Sequence, residues 1–394
     1  MFGLQSLKKC LMTTAIAVGA ILGSTWCAEA GTYAQTDLVS NVSGLATITD
    51  PQLVNPWGIS HSATSPFWLS NQGTNNSTLY AVTGSTNVTK TIINPPSGFV
   101  TIPTTGVGPQ GPTGQIDNGN MSSFLVGNGG NDASAHFVFA NLNGTISAWD
   151  TGPAAFVQQT VAGASFTGLA VNQAQTELYA ANNAGTGGIK VFDSSFAPLN
   201  LGASAFATPT TIGARGLVPF NVQDINGSVY VTYAPAGHAA ETAATGGMGA
   251  VAVFTEGGAL LQTVLSNKLA SPWGVAVAPA TFGRFGGDLL VGNFSYADSE
   301  INAFNLSGTF QGTIPIDTGS AGTGGLWALD FGTGGSNGNP NTLYFTDGIN
   351  GETGGLFGAI SAVPEPATWA LFLIGFGIVG WTLRNRKSLP TPAA

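Results

Sequence analysis

Six times along the chain a short strand-like run opens on Pro-Trp-Gly or a variant of it. These openings are Pro56-Trp57-Gly58, Pro112-Thr113-Gly114, Phe166-Thr167-Gly168, Val218-Pro219-Phe220, Pro272-Trp273-Gly274 and Leu326-Trp327-Ala328. Their central residues lie at 57, 113, 167, 219, 273 and 327, between 52 and 56 residues apart. A period this constant is the mark of a repeat architecture. Each unit holds a second run, β-branched or aromatic, that ends on a polar residue: PFWLSN (66–71), HFVFAN (136–141), ELYAAN (177–182), SVYVTY (228–233), DLLVGN (288–293) and TLYFTD (342–347). A third run follows a Gly/Asn-rich turn, as in STLYAV, GGIKVFD or GAVAVF, and a fourth, such as NVTKTI or LLQTVL, completes the unit. Alternation with these turn residues predicts antiparallel strands. Six four-stranded sheets predict an all-β, six-bladed propeller, whose radial closure leaves few exposed edges.

The two ends of the repeat support closure. The last unit stops about 20 residues short, and Tyr33 to Asp50 precedes the first unit with an 18-residue segment to spare. That segment is expected to supply the missing outer strand of the last blade. Runs such as ELYAANNAGTGGIKVFD resemble the strand–turn–strand repeat of NHL and YVTN-type propellers, and TLYFTDGINGETGGLFGAI resembles a group of PEP-CTERM propellers. The resemblance implies a fold and almost nothing about activity, because propellers host binding and catalysis alike.

Outside residues 31–362 the pattern changes. Lys8 and Lys9 precede an apolar run, and Ala28-Glu29-Ala30 gives a small-residue cleavage site, so residues 1–30 read as a secretory signal. Both cysteines, Cys10 and Cys27, lie inside it, which excludes disulfides and thiolate chemistry from the mature chain. At the other end Val363-Pro364-Glu365-Pro366 leads into a 17-residue apolar run, followed by Arg384, Arg386 and Lys387. At 1.5 Å per residue the run covers about 25 Å, against a hydrocarbon core of about 30 Å, and predicts a transmembrane helix with its basic end cytoplasmic. Residues 363–387 closely resemble the PEP-CTERM sorting signal of Gram-negative bacteria that make exopolysaccharide, with 388–394 as a short tail. That resemblance implies the secretion machinery and an exosortase as partners, transient inner-membrane anchoring, and release to the cell surface or beyond.

Composition fits export and narrows the chemistry. Of 394 residues 57 are glycine, and only 7% are charged. Residues 31–362 carry five basic side chains against 17 acidic ones, a net charge of −12, which argues against nucleic acid or anionic lipid surface as a partner.

Candidate site residues sit where second strands end. Asn71, Asn141, Asn182, Tyr233, Asn293 and Asp347 are expected to ring the face that carries the blade-to-blade connections. Amides there would bind sugar hydroxyls, or would simply cap their hairpin turns. Asp298, Glu300, Asp347 and Glu352 offer oxygen ligands for calcium, though none has EF-hand spacing, and solvated loop acids are the plainer reading. No other cofactor is expected. His238 with Glu241 is the one His–acid pair on that face; His61 and His136 fall on the opposite one. No G-x-S-x-G or phosphate-cradling motif occurs. Trp57, Trp273 and Trp327 read as packing between blades. The expected role is a non-catalytic surface or matrix protein that binds exopolysaccharide or envelope proteins. A metal-assisted hydrolase, lactonase or lyase is the alternative.

Overall fold

The computed structural model describes residues 33–104, 109–185, 187–363 and 366–384. Predicted signal residues Ala28 and Ala30, and Pro364, Glu365, Arg386 and Lys387 of the tail, lie outside them. Residues Tyr33–Pro364 form one compact unit, a six-bladed β-propeller. Blade 1 is built from Pro56–Ser60, Phe67–Asn71, Asn76–Thr83 and Asn87–Thr91, each antiparallel to the next, and Phe99–Thr101 adds a further strand beside Asn76–Thr83. Blades 2, 4 and 5 repeat the four-stranded pattern from innermost strands Pro112–Asp117, Leu217–Ile225 and Pro272–Val277.

Blade 6 closes as expected. Leu326–Phe331, Thr342–Asp347 and Leu356–Ala362 are joined by Tyr33–Ser40, which runs antiparallel to Leu356–Ala362 with Tyr33 opposite Ala362. Blade 3 departs from the pattern, with three strands, Phe166–Val171, Glu177–Asn182 and Gly188–Asp193. The segment beyond makes one bridge, Phe192 with Pro198, flanked by bonds from the Asp193 amide to the Ala197 carbonyl and from the Leu199 amide to the Val191 carbonyl. Pro198 has no N–H to extend the ladder.

All six innermost strands share a bulge at one position, where the register slips after Pro56, Pro112, Phe166, Pro219, Pro272 and Leu326. The bulged residues are therefore Trp57, Thr113, Thr167, Phe220, Trp273 and Trp327, so the fourth unit is centred on Phe220 and not on Pro219. Glycine follows the bulge wherever two innermost strands approach closely. A Cβ on Gly114 would strike the backbone of Gly168 and Leu169, and one on Gly58 would strike the Thr113 carbonyl. Hydrogen bonds tie the bulges together: Thr113 Oγ1 donates to Phe166 O (2.8 Å), Asn221 Nδ2 to Trp273 O (2.9 Å) and Thr346 Oγ1 to Trp57 O (2.7 Å).

The tryptophans come from different blades and pack against one another on the central axis, the core packing expected of them. Trp57 stacks on Trp327 at 3.5 Å, Phe294 stacks on Trp327 at 4.1 Å, and Trp273 meets Trp57 edge-on at 6.1 Å. With Phe220 they form one buried aromatic cluster that plugs the axis.

The tail, described by itself, is helical over Pro366–Arg384. Leu373, Phe376 and Trp381 of this helix are at least 67% exposed, an apolar surface of the kind that meets lipid or protein. The expectation of a transmembrane span is not met: among the described residues no helix is long and apolar enough to cross a membrane. Gly375, Gly377 and Gly380 dilute the run, which at about 25 Å is short for a bilayer core.

Candidate functional site at the connection face

The residues that end the second strands ring the connection face, and all six are buried. Their amides serve turns and neighbouring strands. Asn71 Nδ2 donates to Asn76 Oδ1 and Thr78 Oγ1, and Asn141 Oδ1 accepts the Asn143 amide. Asn182 Oδ1 accepts the amides of Ser165 and Ala184, and Asn293 spans Ala270 N and Lys268 O. A ligand on this face meets the loops beyond them.

Three of those loops, with one blade connection, converge on Glu352. Asn55 precedes the first strand of blade 1; the short helix His238–Thr242, Tyr296 and Glu352 follow the second strands of blades 4, 5 and 6. The Glu352 carboxylate accepts from Asn55 Nδ2 (3.0 Å) and Tyr296 Oη (2.9 Å) and pairs with His238 Nε2 at 2.9 Å. Asn55 in turn accepts from Trp327 Nε1 at 2.8 Å, which fixes the cluster to the aromatic plug. Asn55 and Glu352 both adopt left-handed backbone, with φ of 46° and 65°. For a glutamate this is uncommon and marks a strained, over-determined position.

The expected His238–Glu241 pair is present but loose, at 4.0 Å; the close partner of His238 is Glu352. The hydrogen bond to Glu352 raises the pKa of His238, whose side chain is 62% exposed. Glu241 is buried, and burial pushes its carboxyl up to about 7 against the pull of His238 and Asn183. Asp347 lies beneath at zero exposure, and neither carboxylate oxygen has a hydrogen-bond partner among the described residues. Burial first, and the Glu352 charge second, push it up to about 8, so Asp347 is a neutral acid at pH 7 and not a solvated loop carboxylate.

Of the four acids considered for calcium, Asp347 and Glu352 are neighbours, but the four do not form a metal-binding group. Asp298 accepts the Gly246 amide, and Glu300 begins the strand Glu300–Phe304. Among the described residues no three His, Cys, Asp or Glu side chains are arranged to hold a metal ion. Sequence reasoning missed Tyr296 and Asn55, and placed Glu352 only among loop acids.

Residues 362–387 match the PEP-CTERM protein-sorting motif. Over its body the chain is 29% identical to an uncharacterized protein of Acanthamoeba polyphaga mimivirus across 344 residues, 82% of this chain and 78% of that one. It is 28% identical to a second such viral protein, covering 72% of this chain and 74% of that one. Among solved structures it resembles hydrazine synthase of Kuenenia stuttgartiensis, at 12% identity and TM-score 0.48 over 77% of this chain and 76% of that one. It also resembles streptogramin B lyase, at 11% identity and TM-score 0.45 over 84% and 98% of the two chains. The chain thus carries a PEP-CTERM sorting motif behind a six-bladed propeller, which makes it an exported protein and implies an exosortase as its processing partner.

Proposed function

We propose that this exported propeller is a non-catalytic cell-surface or matrix protein that binds a hydroxyl-rich ligand at the connection face. Exopolysaccharide is the leading candidate, ahead of other envelope components. One observation carries the binding role: His238, Tyr296 and Glu352, from three different blades, are locked by mutual hydrogen bonds above an aromatic plug. Polar side chains held rigidly in this way suit sugar hydroxyls, since little side-chain freedom remains to be lost on binding. The test is retention of the processed protein on the producing cell's own polysaccharide, with Ca²⁺ and with EDTA. Retention in both, reduced by His238→Ala and Tyr296→Phe, is expected; no retention in either overturns the reading.

A second reading has its own support. Glu241 at about 7 beside a positively biased His238 is poised for proton transfer near neutral pH. Release of soluble fragments from the polysaccharide, lost in Glu241→Gln, would replace binding by lyase or hydrolase chemistry.

A further inference from the structure

The opposite end of the axis is built differently. A cavity of about 240 Å³ opens there, bounded by residues of all six innermost strands and floored by Trp273. Its polar lining comes from equivalent ends of those strands. His61, Asp117 and Asp224 stand in three different blades, each five residues beyond the residue that precedes the bulge (Pro56, Pro112 and Pro219), and Asp330 stands four beyond Leu326 in blade 6.

The charges do not cancel. His61 Nε2 pairs with Asp330 at 3.3 Å, and Asn337 Nδ2 meets His61 Nδ1 at 3.0 Å. Burial opposes the His61 charge, yet Asp330 and flanking carbonyls raise its pKa to about 9, so it is a cation at neutral pH. One imidazolium therefore faces three carboxylates. Asp117 lies close enough to feel both His61 and Asp330. Asp224 accepts from Gln173 Nε2 and the Gly227 amide through Oδ1, and its Oδ2 has no partner among the described residues. Glu256 adds a further negative charge behind Asp224.

A second feature is independent of charge. Ser60 lines the cavity at 7% exposure, and its hydroxyl has no hydrogen-bond partner among the described residues. A buried hydroxyl left unpaired costs about 1–3 kcal/mol, and a ligand that pairs with it removes that cost.

We propose that this cavity binds a small organic ammonium, a primary amine or diamine, with Asp117 as its main anchor, Ser60 as a hydrogen-bond partner and Trp273 beneath it. A bare divalent ion suits the site less. Among the described residues no three acid or histidine side chains are arranged as metal ligands, and the volume far exceeds the about 30 Å³ of one water. An alkylammonium matches the net negative lining, fills the volume with methylenes, and gains from an indole face in a low-dielectric pocket. Trp273 Nε1 donates to Thr167 O at 2.9 Å, so the ring is fixed before any ligand arrives.

The test is calorimetric titration of the processed, exported protein with putrescine, with butane-1,4-diol as the uncharged match and Ca²⁺ as the inorganic competitor. Saturable putrescine binding is expected, with none of the diol. Asp117→Asn should weaken it by about tenfold and Ser60→Ala by a few-fold. Polysaccharide retention in both variants reports that the propeller is folded, and separates failure here from failure of the connection-face reading. Absence of putrescine binding, equal binding by Asp117→Asn, or Ca²⁺ binding that Asp117→Asn abolishes would each overturn the assignment.

Discussion

The two ends of the propeller axis share their six walls and differ in everything placed on them. On the connection face the bulged residues Trp57, Phe220, Trp273 and Trp327 pack into a plug, and the polar groups above are paired with one another through Glu352. On the opposite face the same strands end in Ser60, His61, Asp117, Asp224 and Asp330 around an open volume, with charge in excess and a hydroxyl unpaired. At the first end the charges of His238 and Glu352 are tied to one another above a buried, neutral Asp347; at the second, carboxylates outnumber their one cationic partner. Burial at the first tunes pKa values, while at the second it holds charges ready for a counter-charge.

The comparison breaks most completely if the common wall is lost. Gly114→Ala drives a Cβ into the Gly168–Leu169 backbone, where no side chain can yield. It should cost about 3–4 kcal/mol and abolish binding at both ends, read by thermal denaturation and by both binding assays.

Asp347→Asn should act with the opposite sign. An acid whose folded pKa is raised from 3.8 to about 8 favours the protonated fold, so the stability it confers is present below pH 4 and is lost as pH rises to 8. The amide removes that loss: about 3 kcal/mol of stabilisation is expected at pH 8 and little at pH 4, by denaturant titration at each pH.

At the other end Asp330→Asn should cost about 2 kcal/mol at pH 6. The folded pKa of His61 is raised from 6.5 to about 9, so its contribution is complete below pH 6.5 and lost as pH climbs through 9. The variant and the parent should therefore converge in stability near pH 10. Smallest is Tyr296→Phe, which deletes one hydrogen bond to Glu352. About 1 kcal/mol of stability is expected to go, with a larger fractional loss of polysaccharide retention.

Much of this was legible before any coordinates. Repeat spacing, strand alternation and the short last unit led to six blades and to closure by Tyr33–Ser40. The fourth unit is one residue out of register when centred on Pro219 by even spacing, because Pro219 stands where the others have Pro56 or Pro272, leaving Phe220 as the bulged aromatic. Four strands are expected in every unit, whereas blade 3 has three and its following segment is tied on by a single bridge at Pro198. The Glu352 cluster was illegible, since its members come from loops in four blades and only the fold brings them together. The acids at the opposite end come to one level only in the corrected register, where His61, Asp117 and Asp224 each lie five residues beyond Pro56, Pro112 and Pro219. The tail motif was readable at once, because a sorting signal is recognised as sequence.

The closing strand has a consequence for how the molecule is made. Among the strands of the propeller Tyr33–Ser40 emerges first in synthesis and its partner Leu356–Ala362 last, with Ser40 Oγ bonded to the carbonyl of Gly355 across 315 residues. Through the growth of five blades the first strand waits as an unpaired edge, the kind of edge that recruits other chains into aggregates. The strand carries its own protection: Asp37 and a bulge beside it interrupt the run that a stranger would need to pair with, and both are accommodated once the true partner arrives. The ring is thus fastened by a latch that stays inert until the chain is complete.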